Sequence, residues 1–197
     1  MSLPSSRSGF ESRSTHSSDM MEVEVRAKLG NAEDILSKIK ELGSKLKYEA
    51  HQKDIYFKPI NSEKQFILRL RLKDKESELV YKELTNKDGV WKEFSTKISD
   101  FEEMRKILLE SEFYEWMNIE KIRKCFDLDG MEIDLDSFVK PKGFGEWIEA
   151  EIITDDADEG KRKIGEFLES LGIPRDEFVD IGYPQIIEKE LNEKSKI

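Results

Sequence analysis

The amino-acid sequence predicts an α+β fold, an eight-stranded antiparallel β-barrel with flanking and C-terminal helices. Three observations predict it. About eight segments alternate or run apolar at strand length, such as Val23-Glu24-Val25-Arg26-Ala27-Lys28 and Leu68-Arg69-Leu70-Arg71-Leu72-Lys73. Most neighbouring strand segments are joined by short turns, which makes their pairing antiparallel. Helical spacing appears only between and after them, and eight strands are enough to close a barrel.

The elements follow in order. Residues 1–20 are Ser-rich and lack the apolar stretch of a signal peptide, so they are expected to form a disordered extension outside a single domain spanning 21–197. Residues 22–29 read as the first strand. Asn31 is a plausible N-cap for a helix with Ile35, Leu36, Ile39 and Leu42 at helical spacing, and Gly43 ends it. Strands at 46–57 and 65–73 flank the turn-like Lys58-Pro59-Ile60-Asn61-Ser62. A hairpin over 78–84 and 90–98 turns through Asn86-Lys87-Asp88-Gly89. Ser99-Asp100-Phe101-Glu102 opens a second helix with a capping-box pattern, its apolar face formed by Phe101, Met104, Ile107 and Leu108. Strands at 115–127, 131–139 and 146–153 follow. A third helix runs from Asp156 to Leu171, and a last, strongly charged helix follows Pro184 and acts as a solvated or plug-like element.

Composition narrows the function classes. The 197-residue chain carries a formal net charge of −10, which argues against a nucleic-acid backbone or an anionic membrane as the main partner. No apolar run approaches the length of a membrane span. The single cysteine, Cys125, cannot form an intrachain disulfide, which favours a reducing compartment and a cytoplasmic location. Cys125 has no sequence-adjacent His partner and reads as a buried structural thiol. His51 reads as a strand-end or surface residue, and Trp91, Trp116 and Trp147 as core.

The charged alternation is the functional signal. On the first strand Glu22, Glu24, Arg26 and Lys28 share one face, with Val23, Val25 and Ala27 opposite. Arg69, Arg71 and Lys73 share a face further on, as do Lys121 and Arg123, then Glu132, Asp134 and Asp136, then Glu149 and Glu151; Lys82 lies on another strand. One such strand is what any half-solvated sheet shows. Repeated same-sign pairs bring no structural gain, because like charges on a flat face repel. Cations gather on some strands and carboxylates on others, as a ligand with anionic groups and bound metal requires. Turned inward, these faces form a charged interior that ions and ligand must neutralise. Glu22, Glu24, Glu149 and Glu151 offer hard oxygen donors for Mg²⁺ or Mn²⁺, and the Arg and Lys residues suit phosphate.

These residues resemble the CYTH family, the triphosphate tunnel metalloenzymes, which groups class IV adenylyl cyclases, thiamine triphosphatases and inorganic triphosphatases. Glu22-Val23-Glu24-Val25-Arg26 matches the opening Glu-x-Glu-x-Lys, with Arg in the Lys place and Lys28 two residues on. Gln52-Lys53-Asp54-Ile55-Tyr56-Phe57, Leu68-Arg69-Leu70-Arg71, Tyr81-Lys82, Lys121-Ile122-Arg123, Leu135-Asp136 and Gly145-Glu146-Trp147-Ile148-Glu149-Ala150-Glu151 follow in family order, with Tyr183 fitting a tyrosine before the last helix. The resemblance covers residues 21–190. It implies a triphosphate tunnel in which Glu22, Glu24 and Glu151 are the metal ligands, with Glu149 and Asp136 nearby. It implies that Arg26, Lys28, Arg69, Arg71, Lys82, Lys121 and Arg123 line the phosphate path, and that Glu22, Glu24, Arg26 and Lys28 carry catalysis. Seven cations against five carboxylates, two divalent ions and a triphosphate of roughly −5 leave the filled tunnel near neutral, as a buried site should be.

Two reactions follow from that resemblance. The leading one is divalent-metal-dependent hydrolysis of inorganic triphosphate or another triphosphate compound such as ATP or thiamine triphosphate, with Mg²⁺ or Mn²⁺. The alternative is class IV adenylyl cyclase chemistry, in which the ribose 3′-hydroxyl of ATP attacks and pyrophosphate leaves. A polyphosphate-binding module would keep the basic strands without needing the acidic set. The expected partner is a small-molecule triphosphate, with no nucleic acid and no membrane, and a homodimer is possible.

Overall fold

The structure is a computed structural model that describes residues 21–61, 66–84 and 91–194. Its elements are β1 (Met21–Leu29), α1 (Ala32–Glu41), β2 (Lys45–Pro59), β3 (Phe66–Lys73), β4 (Glu76–Leu84), β5 (Trp91–Ile98), α2 (Phe101–Glu110), β6 (Phe113–Leu128), β7 (Met131–Lys140), β8 (Glu146–Thr154), α3 (Ala157–Ser170), a 3₁₀ turn (Arg175–Glu177) and α4 (Tyr183–Lys194). The expected N-terminal extension and the Asn86–Gly89 turn lie outside the described residues.

All eight strands form one antiparallel sheet in the order β1-β8-β7-β6-β2-β3-β4-β5. The sheet curls into a half-barrel. Among the described residues β1 and β5 do not pair, yet charges on Lys82 of β4 and Glu93 of β5 act on Glu22 of β1 across the seam. Two register shifts interrupt the β2–β6 ladder, at Leu46/Tyr48 and Tyr56/Phe57, irregularities of the kind that bend and twist a long strand.

The alternation assigns the two faces. Val23, Val25, Ala27, Ile133, Leu135, Ile148 and Ala150 face outward and are buried beneath α1 and α3, through Ile35, Ile39, Ile164 and Leu168. Ile55, Phe57, Leu68 and Leu70 are buried beneath α2, through Phe101 and Leu108. The helices start where side chains can cap them. Asn31 accepts from the Asp34 amide at 3.2 Å, and Asp156 accepts from the Asp158 and Glu159 amides. The second helix is capped by Asp100, which accepts from the Glu103 amide at 2.9 Å, one residue later than the expected Ser99 start. A carboxylate satisfies that amide better than a hydroxyl and also complements the helix dipole. Gly43 and Gly172 end α1 and α3 with φ of 85° and 89°, a conformation an L side chain resists.

The last helix departs from the expectation in one respect. Tyr183 is its first residue rather than a residue before it, and Pro184 sits in its first turn, where a missing amide hydrogen costs nothing. Helices α1, α2 and α3 cover the outside, whereas α4 enters the concave side. Tyr183, Ile186 and Ile187 pack there on Tyr56, Ile119, Phe144 and Trp147, so α4 plugs one end of the half-barrel.

The α3 seat on the sheet is tight. A Cβ placed on Gly160 would lie 3.0 Å from Thr154 Cγ2 and 3.1 Å from Val23 Cγ2. Gly160→Val is therefore expected to destabilise the protein by about 1–3 kcal/mol through overpacking, measured as a lowered urea midpoint with unchanged m-value.

Candidate active site

The concave face is the charged one, and it is zoned along its length. At the end filled by α4 it is apolar and aromatic. In the middle, cations and carboxylates pair across strands. At the far end it is acidic.

Antiparallel register builds the middle zone. Arg26 stands opposite Glu149, Asp134 opposite Glu149 on the other side, and Arg123 opposite Asp136. Arg26 Nε donates to Glu149 Oε2 at 2.6 Å and Nη2 to Glu24 Oε2 at 2.6 Å. Arg123 Nε and Nη2 fork onto the two Asp136 oxygens at 2.7 and 2.6 Å, Nη2 reaches Glu149 Oε1 at 3.3 Å, and Nη1 pairs with Asp134. Lys121 Nζ donates to Asp136 Oδ2 at 2.7 Å. A second pair lies on β2 and β3, where Arg71 forks onto Asp54 with both bonds at 2.7 Å. Arg26, Lys121, Arg123, Asp54, Asp134, Asp136 and Glu149 are all buried.

Burial works against each of these charges, and the partner decides the outcome. Burial alone raises the Glu149 and Asp54 carboxyls, but Arg26 and Arg123 for the first and Arg71 for the second outweigh it and hold both well below the usual range. For Lys121, burial and then the Arg123 charge outweigh Asp136 and hold the ammonium down to about 8.

The acidic end is short of cations. One oxygen from each of Glu22, Glu24 and Glu151 lies within 4.8 Å of the others, a spacing that an ion bound by hard oxygen donors can bridge. Glu24 and Glu151 face each other in the β1–β8 register, and Glu132 faces Glu151 from β7. Burial first, then Glu22, Glu149, Glu132 and Glu24, push the Glu151 carboxyl up to about 8. Glu22 is raised as well, by burial and its carboxylate neighbours, against Lys82. Burial and crowding raise Glu22 and Glu151, and among the described residues only Glu24 of the three has an ion-pair partner, Arg26, so the set is short of counter-charge and its oxygen donors fit Mg²⁺ or Mn²⁺.

A pH prediction follows. A carboxyl whose folded value lies above its ordinary 4.5 binds protons more tightly when folded. Stability is therefore lost as pH rises from 4.5 through about 8. Asp134, pushed up to about 6 by burial despite Arg123, adds in the same direction. In EDTA the melting temperature should fall across that window. Mg²⁺ should restore it at the alkaline end, and Glu151→Gln should shrink both effects.

The remaining residues fall into place around these zones. Arg69 makes no ion pair among the described residues, and its buried Nε has no hydrogen-bond partner. The buried Gln52 Oε1 on the neighbouring strand is unpartnered as well, so the cradle retains polar atoms for a ligand. Lys82 pairs with Glu93 at 2.6 Å at the seam. Lys28 sits at the plugged end, half exposed, 3.3 Å from Glu190 of α4. The structure thus gathers Glu22, Glu24 and Glu151. It sets Asp136 and Glu149 one step inward, tied to cations, and lines the face between with Arg26, Lys121, Arg123, Arg69 and Arg71.

Sequence reasoning left out Asp54, Asp134 and Glu132 as site residues. Each shares the inward parity of a residue it singled out, so the signal was present. With them, the cations no longer outnumber the carboxylates, and an anionic ligand must displace internal partners. His51 is exposed and pairs with Glu120 at 2.8 Å, Cys125 is buried, and Trp147 is core. Among the described residues no helix is long and apolar enough to cross a membrane.

Comparison with known proteins agrees with this geometry. A Methanocaldococcus jannaschii protein provisionally named an adenylate cyclase is 29% identical over 175 residues, covering 85% of this chain and 98% of its own. A solved Pyrococcus horikoshii structure is 27% identical with a TM-score of 0.72, over 84% of this chain and 98% of that one. A Hippeastrum protein, described as an adenylyl cyclase candidate with a dominant triphosphatase activity, shares the fold at 18% identity and a TM-score of 0.58, over 83% and 91% of the chains. The CYTH domain family model matches residues 20–183, and with the curled eight-stranded sheet and its charged concave face this chain belongs to the CYTH family, whose members act on triphosphates.

Proposed function

We propose that the protein hydrolyses inorganic triphosphate, or a triphosphate compound, in a divalent-metal-dependent reaction on the concave face. The observation that carries this reading is the juxtaposition of the Glu22, Glu24 and Glu151 cluster with the buried Arg26, Arg123 and Lys121. Metal donors and phosphate donors meet on one surface. Glu22, Glu24 and Glu151 would hold the ion, with Glu149 and Asp136 as neighbouring carboxylates. A bound Mg²⁺ or Mn²⁺ supplies positive charge for phosphate oxygens and lowers the pKa of a bound water.

The chain's own residues do the rest. Arg26 and Arg123 each hold carboxylates through a planar fork, and the same fork accepts phosphate oxygens. Arg69, with a free Nε, offers a donor that need not be released from a partner. Lys121, held down to about 8, keeps its proton more firmly as phosphate charge approaches, so it can stabilise a leaving phosphate. The strands hold these donors in place before the ligand arrives, and phosphate oxygens take over from the carboxylates that now occupy them.

Hydrolysis is preferred to cyclisation because of what fills the closed end. Phe138, Phe144, Trp147 and Tyr183 pack against one another at centroid distances of 4.6–6.3 Å, which leaves none of them free as a platform for adenine. The Hippeastrum protein's triphosphatase activity supports the same choice, and the name of the Methanocaldococcus protein supports the alternative. The test incubates the protein with Mg²⁺ or Mn²⁺ and either triphosphate or ATP and resolves the products. Orthophosphate from triphosphate is expected; cyclic AMP with pyrophosphate from ATP would establish the cyclase instead.

A further inference from the structure

We propose a second divalent-cation site, for a thiophilic ion such as Zn²⁺ or Co²⁺, formed by Cys125, Asp134 and Glu132 on the concave side of β6 and β7. The Cys125 sulfur and one oxygen from each carboxylate lie within 4.8 Å of one another. Metal–sulfur bonds of about 2.3 Å and metal–oxygen bonds of about 2.0–2.2 Å fit that span with small side-chain adjustments. The register produces the cluster, since Cys125 stands opposite Asp134 and Glu132 follows on the same face of β7.

The independent observation is at Asp134. Its side chain is 3% exposed, and Arg123 holds Oδ2, but Oδ1 has no hydrogen-bond partner. The Cys125 thiol beside the carboxylate is only a weak donor, so an ion at the cluster supplies what Oδ1 lacks. The same Arg123 contact limits the charge the ion must meet, because one negative oxygen is already neutralised. Entry is by way of Glu132, whose side chain is 32% exposed and paired with the half-exposed Lys47. An arriving ion takes the Glu132 carboxylate from Lys47 and then meets the sulfur.

The donor set fixes the chemical class. Burial, and then the Asp134 charge, keep Cys125 a thiol. Binding therefore replaces the thiol proton by the metal and releases that proton to solvent, which an ion bonding strongly to sulfur achieves and Mg²⁺ does not. The Glu22, Glu24 and Glu151 cluster, with three oxygens and no sulfur, selects the opposite way.

The experiment titrates Co²⁺ into protein held in excess Mg²⁺ and follows thiolate-to-cobalt absorption in the near ultraviolet. The band should rise to one Co²⁺ per chain, persist in Glu24→Gln, and vanish in Cys125→Ser. Glu132→Gln, at a half-exposed position that tolerates the change, should keep the band and weaken its Co²⁺ affinity by roughly 10-fold or more. The proposal is overturned if wild type binds Co²⁺, seen in its visible absorption, without the thiolate band, or if Glu132→Gln leaves the affinity unchanged. Neither result bears on triphosphate hydrolysis, which depends on the other cluster.

Discussion

Glu24→Gln is expected to lower metal-dependent triphosphate turnover by roughly 100-fold or more while the protein stays folded. Changing an outer partner of a metal ligand costs about 10–100-fold in metal affinity or activity, and a direct donor should cost at least as much. The substitution keeps shape and removes one charge. Glu24 loses its 2.6 Å ion pair with Arg26, but the repulsion among Glu22, Glu24 and Glu151 is relieved as well. With the Glu24 side chain 32% exposed, the net change in stability should stay within about 1 kcal/mol. Paired measurements decide it: steady-state orthophosphate release against Mg²⁺ concentration, and urea denaturation in EDTA. Glu120→Gln, on the outer surface beside His51, is the control and should leave both unchanged. Full activity in Glu24→Gln would remove Glu24 from the metal site.

The largest stability effect is expected at Arg123. Arg123 is 8% exposed, and its guanidinium serves Asp134, Asp136 and Glu149 at once. In Arg123→Met, Asp136 keeps Lys121 and Glu149 keeps Arg26, but Asp134 is left with no cation among the described residues. An uncompensated buried charge costs about 3–5 kcal/mol. Acid should soften the loss, because Asp134, already pushed up to about 6, then protonates more readily. The destabilisation should therefore be smaller at pH 5 than at pH 8, and Arg123→Met with Asp134→Asn should recover part of it. A loss below about 1 kcal/mol at pH 8 would mean that water, not arginine, neutralises these carboxylates.

Much of the fold was legible because strand alternation records two environments residue by residue. Val23, Val25 and Ala27 against Glu22, Glu24 and Arg26 state which face meets a helix and which does not. That the charged face turns inward was harder, since a solvated face gives the same period. The recurrence of like charges on strands that become neighbours distinguished the two. Closure was not legible. Whether β1 meets β5 depends on curvature summed over eight strands, which no local pattern encodes, and among the described residues that seam has no ladder.

The candidate site was legible by residue type and less so by partner. Glu22, Glu24 and Glu151 were expected together and lie together. Asp136 and Glu149 were expected beside the metal, and the structure ties both to buried cations, because opposite register positions set β7 and β8 carboxylates against Arg26 and Arg123. Asp54 escaped notice as a charged site residue although it shares its face with Gln52 and Tyr56; its role depends on Arg71 across the β2–β3 ladder. The last helix was expected as a solvated or plug-like element, and its strongly charged sequence did not say which; the seat of Tyr183, Ile186 and Ile187 on the concave side depends on partners from distant strands.

The nucleophile is the centre of the account, and oxygen-isotope labelling tests it most directly. Triphosphate incubated with the protein and Mg²⁺ in ¹⁸O-water should yield orthophosphate and pyrophosphate with one ¹⁸O incorporated per turnover, in the product that carries the attacked phosphorus, and no conversion should occur in EDTA. Triphosphate that binds in Mg²⁺ but is not consumed, while ATP yields unlabelled pyrophosphate and cyclic AMP, would contradict the hydrolytic reading and make the ribose hydroxyl the attacking group.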